Sequence, residues 1–334
     1  MTRSLVVAPQ WIGDAVMTEP LLRRLHRRGE QLAVAAVPWV APVYRAMPQV
    51  AQVIELPFRH GSLQLGQRRR LARELEGRFD AAYVLPNSLK SALVPFLAGI
   101  PRRIGYLGEA RVGLLTHRLK NPKDRPPMVA FYSALSGDTE GLADDRPALH
   151  LQPAFVDAAL GKHGVARGAY LVFAPGAEFG SSKRWPQAHY ARLAVGLDAP
   201  VLLLGSAKDR AVCDEIAEAS GGRCLNLAGS TSLEEAFALI AGARAMVSND
   251  SGLMHVAAAF GLPQVALFGS SSPHHTPPLN AKAQVVWLKE DPAYQPPLDC
   301  APCFERECPL GHHRCLEDVQ PGRVLALVQS ASRA

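Results

Sequence analysis

Short apolar runs, each closed by a turn residue and followed by a helix-periodic stretch, recur along this chain and constrain its fold more than any other feature. A continuous apolar run of four to eight residues is a strand buried on both faces, which is how parallel sheets are built. "SLVVAP" (4–9) is such a run, and "DAVMTEPLLRRLHRRG" behind it reads as one helix from Asp14 to Gly29. "QLAVAAVP", "VAQVIELP", "DAAYVLP" and a short run around "RRIGY" continue the strands, with "LQLGQRRRLARELEGRF" and "LKSALVPFLAG" as helices. From about Ala110 to Asp157 the pattern weakens into Pro-rich, charged sequence of linker character. It restarts with "AYLVFAPG" and runs through "APVLLLGS", "CLNLAG", "RAMVSN" and "QVALFG". One intervening helix, "SLEEAFALIAGA", carries Ser232 and Glu235 at capping-box spacing. The pattern predicts an α/β protein of two mostly parallel sheets, residues 1–155 and 156–334.

The length of 334 residues agrees, being more than one core usually supports. Charged residues at 20% against 48% hydrophobic describe a globular chain and exclude a disordered one. No apolar run approaches a membrane span, and the five-residue run before Pro9 is too short for a signal peptide, so a cytoplasmic location is expected. The net charge of +6 suits an anionic partner, whether nucleic acid, a phosphorylated substrate or a membrane surface.

Ligands of such sheets bind outside the carboxyl ends of the strands, so the joins after the strands are where chemistry is sought. "SNDSGLMHVAAAFG" breaks a strand at Asn249-Asp250-Ser251-Gly252 and restarts as a helix of small residues. The first turn of a helix leaves N–H groups unpaired at the positive end of its dipole, and Gly252 lets a phosphate approach them. Taken alone, the join is equally well explained by Asp250 or Ser251 capping the helix. "PGAEFGSSKRWP" (175–186) also joins a strand to a helix, with Gly176, Ser181, Ser182, Lys183 and Arg184 suited to a diphosphate. It matches neither a Walker loop nor Gly-x-Gly-x-x-Gly. "PQWIGDAVMTEP" (9–20) brings Asp14 to the corresponding place in the first domain, where a carboxylate is either a helix cap or a general base.

These three segments, in order and spacing, resemble the ADP-heptose:lipopolysaccharide heptosyltransferases, and the likeness runs essentially the full length. The resemblance implies a GT-B fold, two Rossmann-like domains facing a cleft, with ADP-heptose held by the second and the acceptor by the first. It implies an inverting transfer of L-glycero-D-manno-heptose to a heptose already on Kdo2-lipid A, at the cytoplasmic face of the inner membrane. By that resemblance Asp14 is the base and Lys183 the phosphate-binding lysine. Ser251, Gly252 and Leu253 would offer N–H groups to the phosphates, and Asp250, with His255 one turn on, would face the donor sugar. Asp209 is a guess for the adenosine ribose, because the join after "VLLLGS" matches the family imperfectly. Arg68, Arg69, Arg70, Asn87, Ser88 and Lys90 are candidates for the acceptor's carboxylates and phosphates, or else solvated surface. With lysine and helix termini meeting the diphosphate, no cofactor is required.

The tail "CAPCFERECPLGHHRC" spaces Cys300, Cys303, Cys308 and Cys315 as Cys-x2-Cys-x4-Cys-x6-Cys. Half of that is a zinc signature and half is not, so packed or redox-sensitive thiols, set back against the first domain, are expected ahead of a metal. Three other readings stay open. A transferase acting on a different core acceptor and a GT-B sugar-nucleotide epimerase share the motifs. A basic nucleic-acid-binding protein shares the charge, though the 7% aromatic content argues against it.

Overall fold

The computed structural model describes residues 1–58, 62–138 and 140–331. The chain forms two compact units, Met1–His150 and Leu151–Ala334.

In the first unit the strands are β1 (Arg3–Val7), β2 (Gln31–Ala36), β3 (Val50–Glu55), β4 (Ala81–Val84), β5 (Arg102–Tyr106) and β6 (His117–Leu119). All pair in parallel, in the order β3-β2-β1-β4-β5-β6. The helices are α1 (Ile12–Met17), α2 (Glu19–Arg27), α3 (Ala41–Arg45), α4 (Leu65–Leu75), α5 (Leu89–Leu97) and α6 (Met128–Ser133). Leu5, Val6, Val34, Ala82 and Val84 are fully buried in the central strands, the two-faced burial that their unbroken apolar runs require.

The second unit repeats the plan. Helix α7 (Pro153–Lys162) precedes β7 (Leu171–Ala174), β8 (Val201–Leu203), β9 (Cys224–Asn226), β10 (Ala245–Asn249), β11 (Gln264–Phe268) and β12 (Ala283–Trp287). Their order, β12-β11-β10-β7-β8-β9, is the same doubly wound order as in the first sheet, and all pairs are parallel. Between and after them lie α8 (Gln187–Val195), α9 (Arg210–Ala219), α10 (Leu233–Ala241), α11 (Gly252–Ala259), α12 (Arg314–Glu317) and α13 (Pro321–Ala331). In each sheet the chain reverses its direction of travel between the first and fourth strands, β1/β4 and β7/β10. That switch point is where such sheets open a crevice for a ligand.

Three expectations are corrected. The stretch read as one helix from Asp14 is two, α1 and α2, split at Thr18. Pro20 lacks an N–H and would clash with the preceding turn, so it starts α2 instead of continuing α1. The stretch read as linker contains β6 and α6, whose apolar content is too short to show a period. Strand β12 was not expected at all. The cysteine-rich tail buries Leu298, Ala301 and Leu316 in the second unit's core.

The Ser232–Glu235 capping box is formed, with Ser232 Oγ accepting from the Glu235 N–H at 3.1 Å and Glu235 returning to the Ser232 N–H at 2.9 Å. Ser232→Ala is expected to cost about 1 kcal/mol, read as a lower urea midpoint with an unchanged slope.

Candidate active site

At the β7/β10 switch point, two loops are tied together by one side chain. The buried Asn249, last residue of β10, accepts from the Trp185 N–H (3.0 Å) and the Tyr190 hydroxyl (3.2 Å) through Oδ1. Its Nδ2 donates to the Pro175 carbonyl at 2.7 Å. Asn249 thus fixes both ends of the 175–185 loop against the start of α11.

On that frame Lys183 Nζ lies 2.5 Å from Asp250 Oδ2, with side-chain exposures of 18% and 5%, so the pair is largely screened from solvent. Ser271 Oγ donates to the same oxygen at 2.6 Å. The capping explanation of the join is not what the structure shows. Ser251 stands at the N-cap of α11 with extended backbone but makes no side-chain cap, and its buried Oγ has no hydrogen-bond partner. The first-turn N–H groups of Gly252 and Leu253 therefore lack a protein cap beside a lysine, an anion site by geometry.

The other expected donor residues divide. Ser181 is exposed and Arg184 is partly buried beside Lys183, with its guanidinium reaching the Ala177 carbonyl at 3.5 Å. Ser182 is buried and already engaged, with Ser270 Oγ at 2.9 Å and the Glu305 carbonyl at 2.5 Å. Its hydroxyl holds the tail instead of reaching for a phosphate. His255 is buried within reach of the Lys183 and Asp250 charges. Burial foremost lowers its pKa to about 4, with Asp250 opposing that shift and Lys183 adding to it, so the imidazole is neutral near pH 7. Asp209 faces inward: its carboxylate accepts from the Ser206 N–H (2.9 Å) and Oγ (2.7 Å), closing a capping box. A Cβ on Gly176 would stand 2.4 Å from that carboxylate, so glycine is needed there for packing.

Sequence reading missed the role of the tail. The Arg306 carbonyl accepts from the Ser182 N–H at 3.2 Å, and a Cβ on Gly180 would meet that carbonyl at 2.1 Å. Arg306 and Lys183 both place their cations over the Phe179 ring, at 5.3 and 5.0 Å from its centre. The tail is thus a brace for the lysine loop. Among the described residues no three His, Cys, Asp or Glu side chains converge as a metal would require, and all six cysteines are free thiols. Burial, reinforced by Cys308, Cys300 and Cys303, pushes Cys315 up to about 12. Burial would raise Cys308 as well, but N–H groups from His313, Leu310, Gly311 and His312 outweigh it and hold that thiol below its ordinary value.

In the first unit Asp14 lies in the first turn of α1, partly exposed, with Tyr132 from α6 donating to its Oδ1 at 3.0 Å. The corresponding β4 loop is built around Arg111, which is fully buried and reaches the Tyr106 carbonyl (2.9 Å), the Pro86 carbonyl (2.5 Å) and Asn87 Oδ1 (3.1 Å). Asn87 is engaged further by Asn121 at 3.1 Å. Ser88 starts α5 and its carbonyl accepts from Ser91 Oγ at 2.6 Å. Arg68 is buried, bonded to the carbonyls of Leu63 (2.7 Å) and Lys90 (2.9 Å) and stacked 4.1 Å over Phe58. Burial lowers its pKa, and its guanidinium joins α4 to α5 instead of facing a ligand. Arg69 and Arg70 are exposed, and Lys90 is partly so.

Two predictions follow from these placements. The unfolded chain protonates His255 below its ordinary pKa of 6.5, whereas the folded chain resists down to about 4. This residue's contribution to stability is therefore complete above pH 6.5 and lost as pH falls toward 4. Melting temperature measured across that window should fall less steeply for His255→Asn than for the native chain. Arg68→Ser should lower the melting temperature by several degrees, as about 1–3 kcal/mol of buried bonding is lost. Arg69→Ser and Arg70→Ser should leave it unchanged.

Comparison with known proteins agrees with this geometry. The model of glycosyltransferase family 9 (heptosyltransferase) matches residues 68–313. Lipopolysaccharide heptosyltransferase 2 of Escherichia coli K12 is 44% identical, covering 96% of each chain. Lipooligosaccharide heptosyltransferase 2 of Haemophilus influenzae is 40% identical, again over 96% of each. The solved structure of E. coli ADP-heptose lps heptosyltransferase II superposes with a TM-score of 0.84 at 39% identity, covering 99% of this chain and 98% of that one. An α/β chain with two like-ordered parallel sheets and an uncapped anion site, matched over its length at this identity, belongs to glycosyltransferase family 9, the heptosyltransferases.

Proposed function

We propose that this chain transfers L-glycero-D-manno-heptose from ADP-heptose, with inversion, to the first heptose of heptosyl-Kdo2-lipid A, at the cytoplasmic face of the inner membrane. The observation that carries the reading is the uncapped N-terminus of α11 beside Lys183 at a sheet switch point, in a chain 44% identical to a heptosyltransferase 2. Among the described residues no helix is long and apolar enough to cross a membrane.

In the reaction the acceptor hydroxyl attacks the anomeric carbon, the bond from that carbon to the β-phosphate oxygen breaks, and ADP departs. Positive charge builds on the sugar and negative charge on the diphosphate. The ammonium of Lys183, the Arg184 guanidinium and the α11 N–H groups are fixed where that negative charge develops, which is the arrangement that lowers a barrier. Asp14 takes the acceptor's proton. Without donor, Lys183 is neutralised by Asp250. Donor binding offers Lys183 a second, more highly charged anion, and frees an Asp250 oxygen to accept from sugar hydroxyls. Since the diphosphate's charge is met by protein groups, the reading calls for no resident cofactor. Arg69, Arg70 and Lys90 remain as acceptor contacts, whereas Arg68, Asn87 and Ser88 serve the fold.

ADP release, followed with and without heptosyl-Kdo2-lipid A, tests this. Release should need the acceptor, and Asp14→Asn should slow it by ~10²–10⁴. Lys183→Met should slow it by ~10²–10³. Release with Kdo2-lipid A but not with its heptosylated form would move the acceptor assignment to the other core position.

A further inference from the structure

Asp14 does not stand alone in its unit. Tyr132, 118 residues away in α6, is buried to 4% exposure and donates its hydroxyl to Asp14 Oδ1 at 3.0 Å. Helix α6 is itself pinned: Tyr106, at the end of β5, donates to the Phe131 carbonyl at 2.7 Å and stacks on the Phe131 ring at 4.0 Å and 11°. At the C-terminal end of α1, the Thr18 hydroxyl donates to the Ala15 carbonyl at 2.7 Å. Having one proton, it must accept from the Tyr44 hydroxyl of α3, 3.2 Å away. The short helix carrying Asp14 is therefore held by a buried phenol from each of two neighbouring helices, and one of those phenols bonds to the carboxylate itself.

We propose that Tyr132 is a positioning residue for the reaction: its hydroxyl fixes the rotation of the Asp14 carboxylate and stabilises its charged, proton-accepting form. The proposal rests on the reading of Asp14 as the base. Burial foremost, then the Asp14 charge, raises the Tyr132 hydroxyl far above the ordinary phenol value, so it stays a donor throughout the working pH range. The other titratable or charged groups on the helices packed against α1 are Tyr44 and Arg45 of α3 and Glu19, Arg23, Arg24, His26 and Arg27 of α2. Of these, Arg24 pairs with Asp145 at 2.8 Å and Arg45 with Glu55. Burial raises Tyr44 too, so it stays neutral. Glu19, at the start of α2, is committed elsewhere, to Gln49 Nε2 (2.9 Å), the Ala148 N–H (3.1 Å) and Arg23 (3.3 Å). Tyr132 is the phenol bonded to the carboxylate. A hydrogen bond to the ionised form favours that form, and a base held in one orientation avoids searching for the productive one.

The test is the full-length Tyr132→Phe variant, which keeps the ring and removes the bond. ADP release is measured as kcat and KM across the pH range, beside the melting temperature. Expected is a kcat at neutral pH lower by roughly tenfold, a fraction of the ~10²–10⁴ attached to the base itself. KM for ADP-heptose should stay within about twofold, since ground-state binding is untouched. The acid limb of kcat/KM should move to higher pH, because the carboxylate has lost a donor to its charged form. Tyr132→Phe added to Asp14→Asn should slow release no further, as the two act through one group. An unmoved acid limb, even with a lower kcat or melting temperature, would overturn the proposal and leave Tyr132 a packing residue. Should Asp14→Asn itself retain near-native turnover, the base assignment fails, whatever Tyr132→Phe does.

Discussion

The amide of Asn249 is the interaction on which the second unit's site depends. It is buried at the end of a central strand, and it satisfies backbone groups at both ends of the lysine loop as well as the Tyr190 hydroxyl. A loop of this length, with glycines at 176 and 180, has many conformations open to it. Three hydrogen bonds from one rigid amide, in a dry environment where leaving any of them unmade is costly, select one. Lys183, Asp250 and the start of α11 then inherit their relative positions from the sheet.

The electrostatics of the site follow from that placement. Asp250 and Lys183 compensate each other in partial burial, with Ser271 as a second donor to the carboxylate. Both charges would be expensive to bury alone. The neutral, buried His255 adds bulk without adding charge, so the positive potential at the site comes from Lys183, Arg184 and the helix terminus. The tail braces the same loop from the far side through the carbonyls of Glu305 and Arg306. Of the cysteines in that segment, Cys300 and Cys315 pack against the second unit's core, and Cys303 and Cys308 line a small cavity beside Ser182.

Several residues singled out in the sequence prove to be scaffold. Arg68 looked like an acceptor contact because it stands in a basic run, and Asp209 like a ribose contact because it follows a strand. Both spend their hydrogen-bonding capacity on neighbouring backbone or hydroxyl groups, and Arg111, which attracted no notice, does so most completely. Which charged side chains remain available is decided by how many carbonyls and N–H groups a loop leaves unpaired, a property of the folded loop.

The sequence by itself determined the alternation of strands and helices, the two parallel sheets and the three strand-to-helix joins. Those features are local: apolar runs, turn residues and helix starts act within about ten residues. Tertiary structure decided the rest. It alone brought Tyr132 from an apparent linker to Asp14, turned Ser182 toward the tail, buried His255 and left the α11 N-terminus uncapped. Each of those outcomes is a competition among partners distant in sequence for a limited number of buried hydrogen bonds, and no local pattern records who wins it.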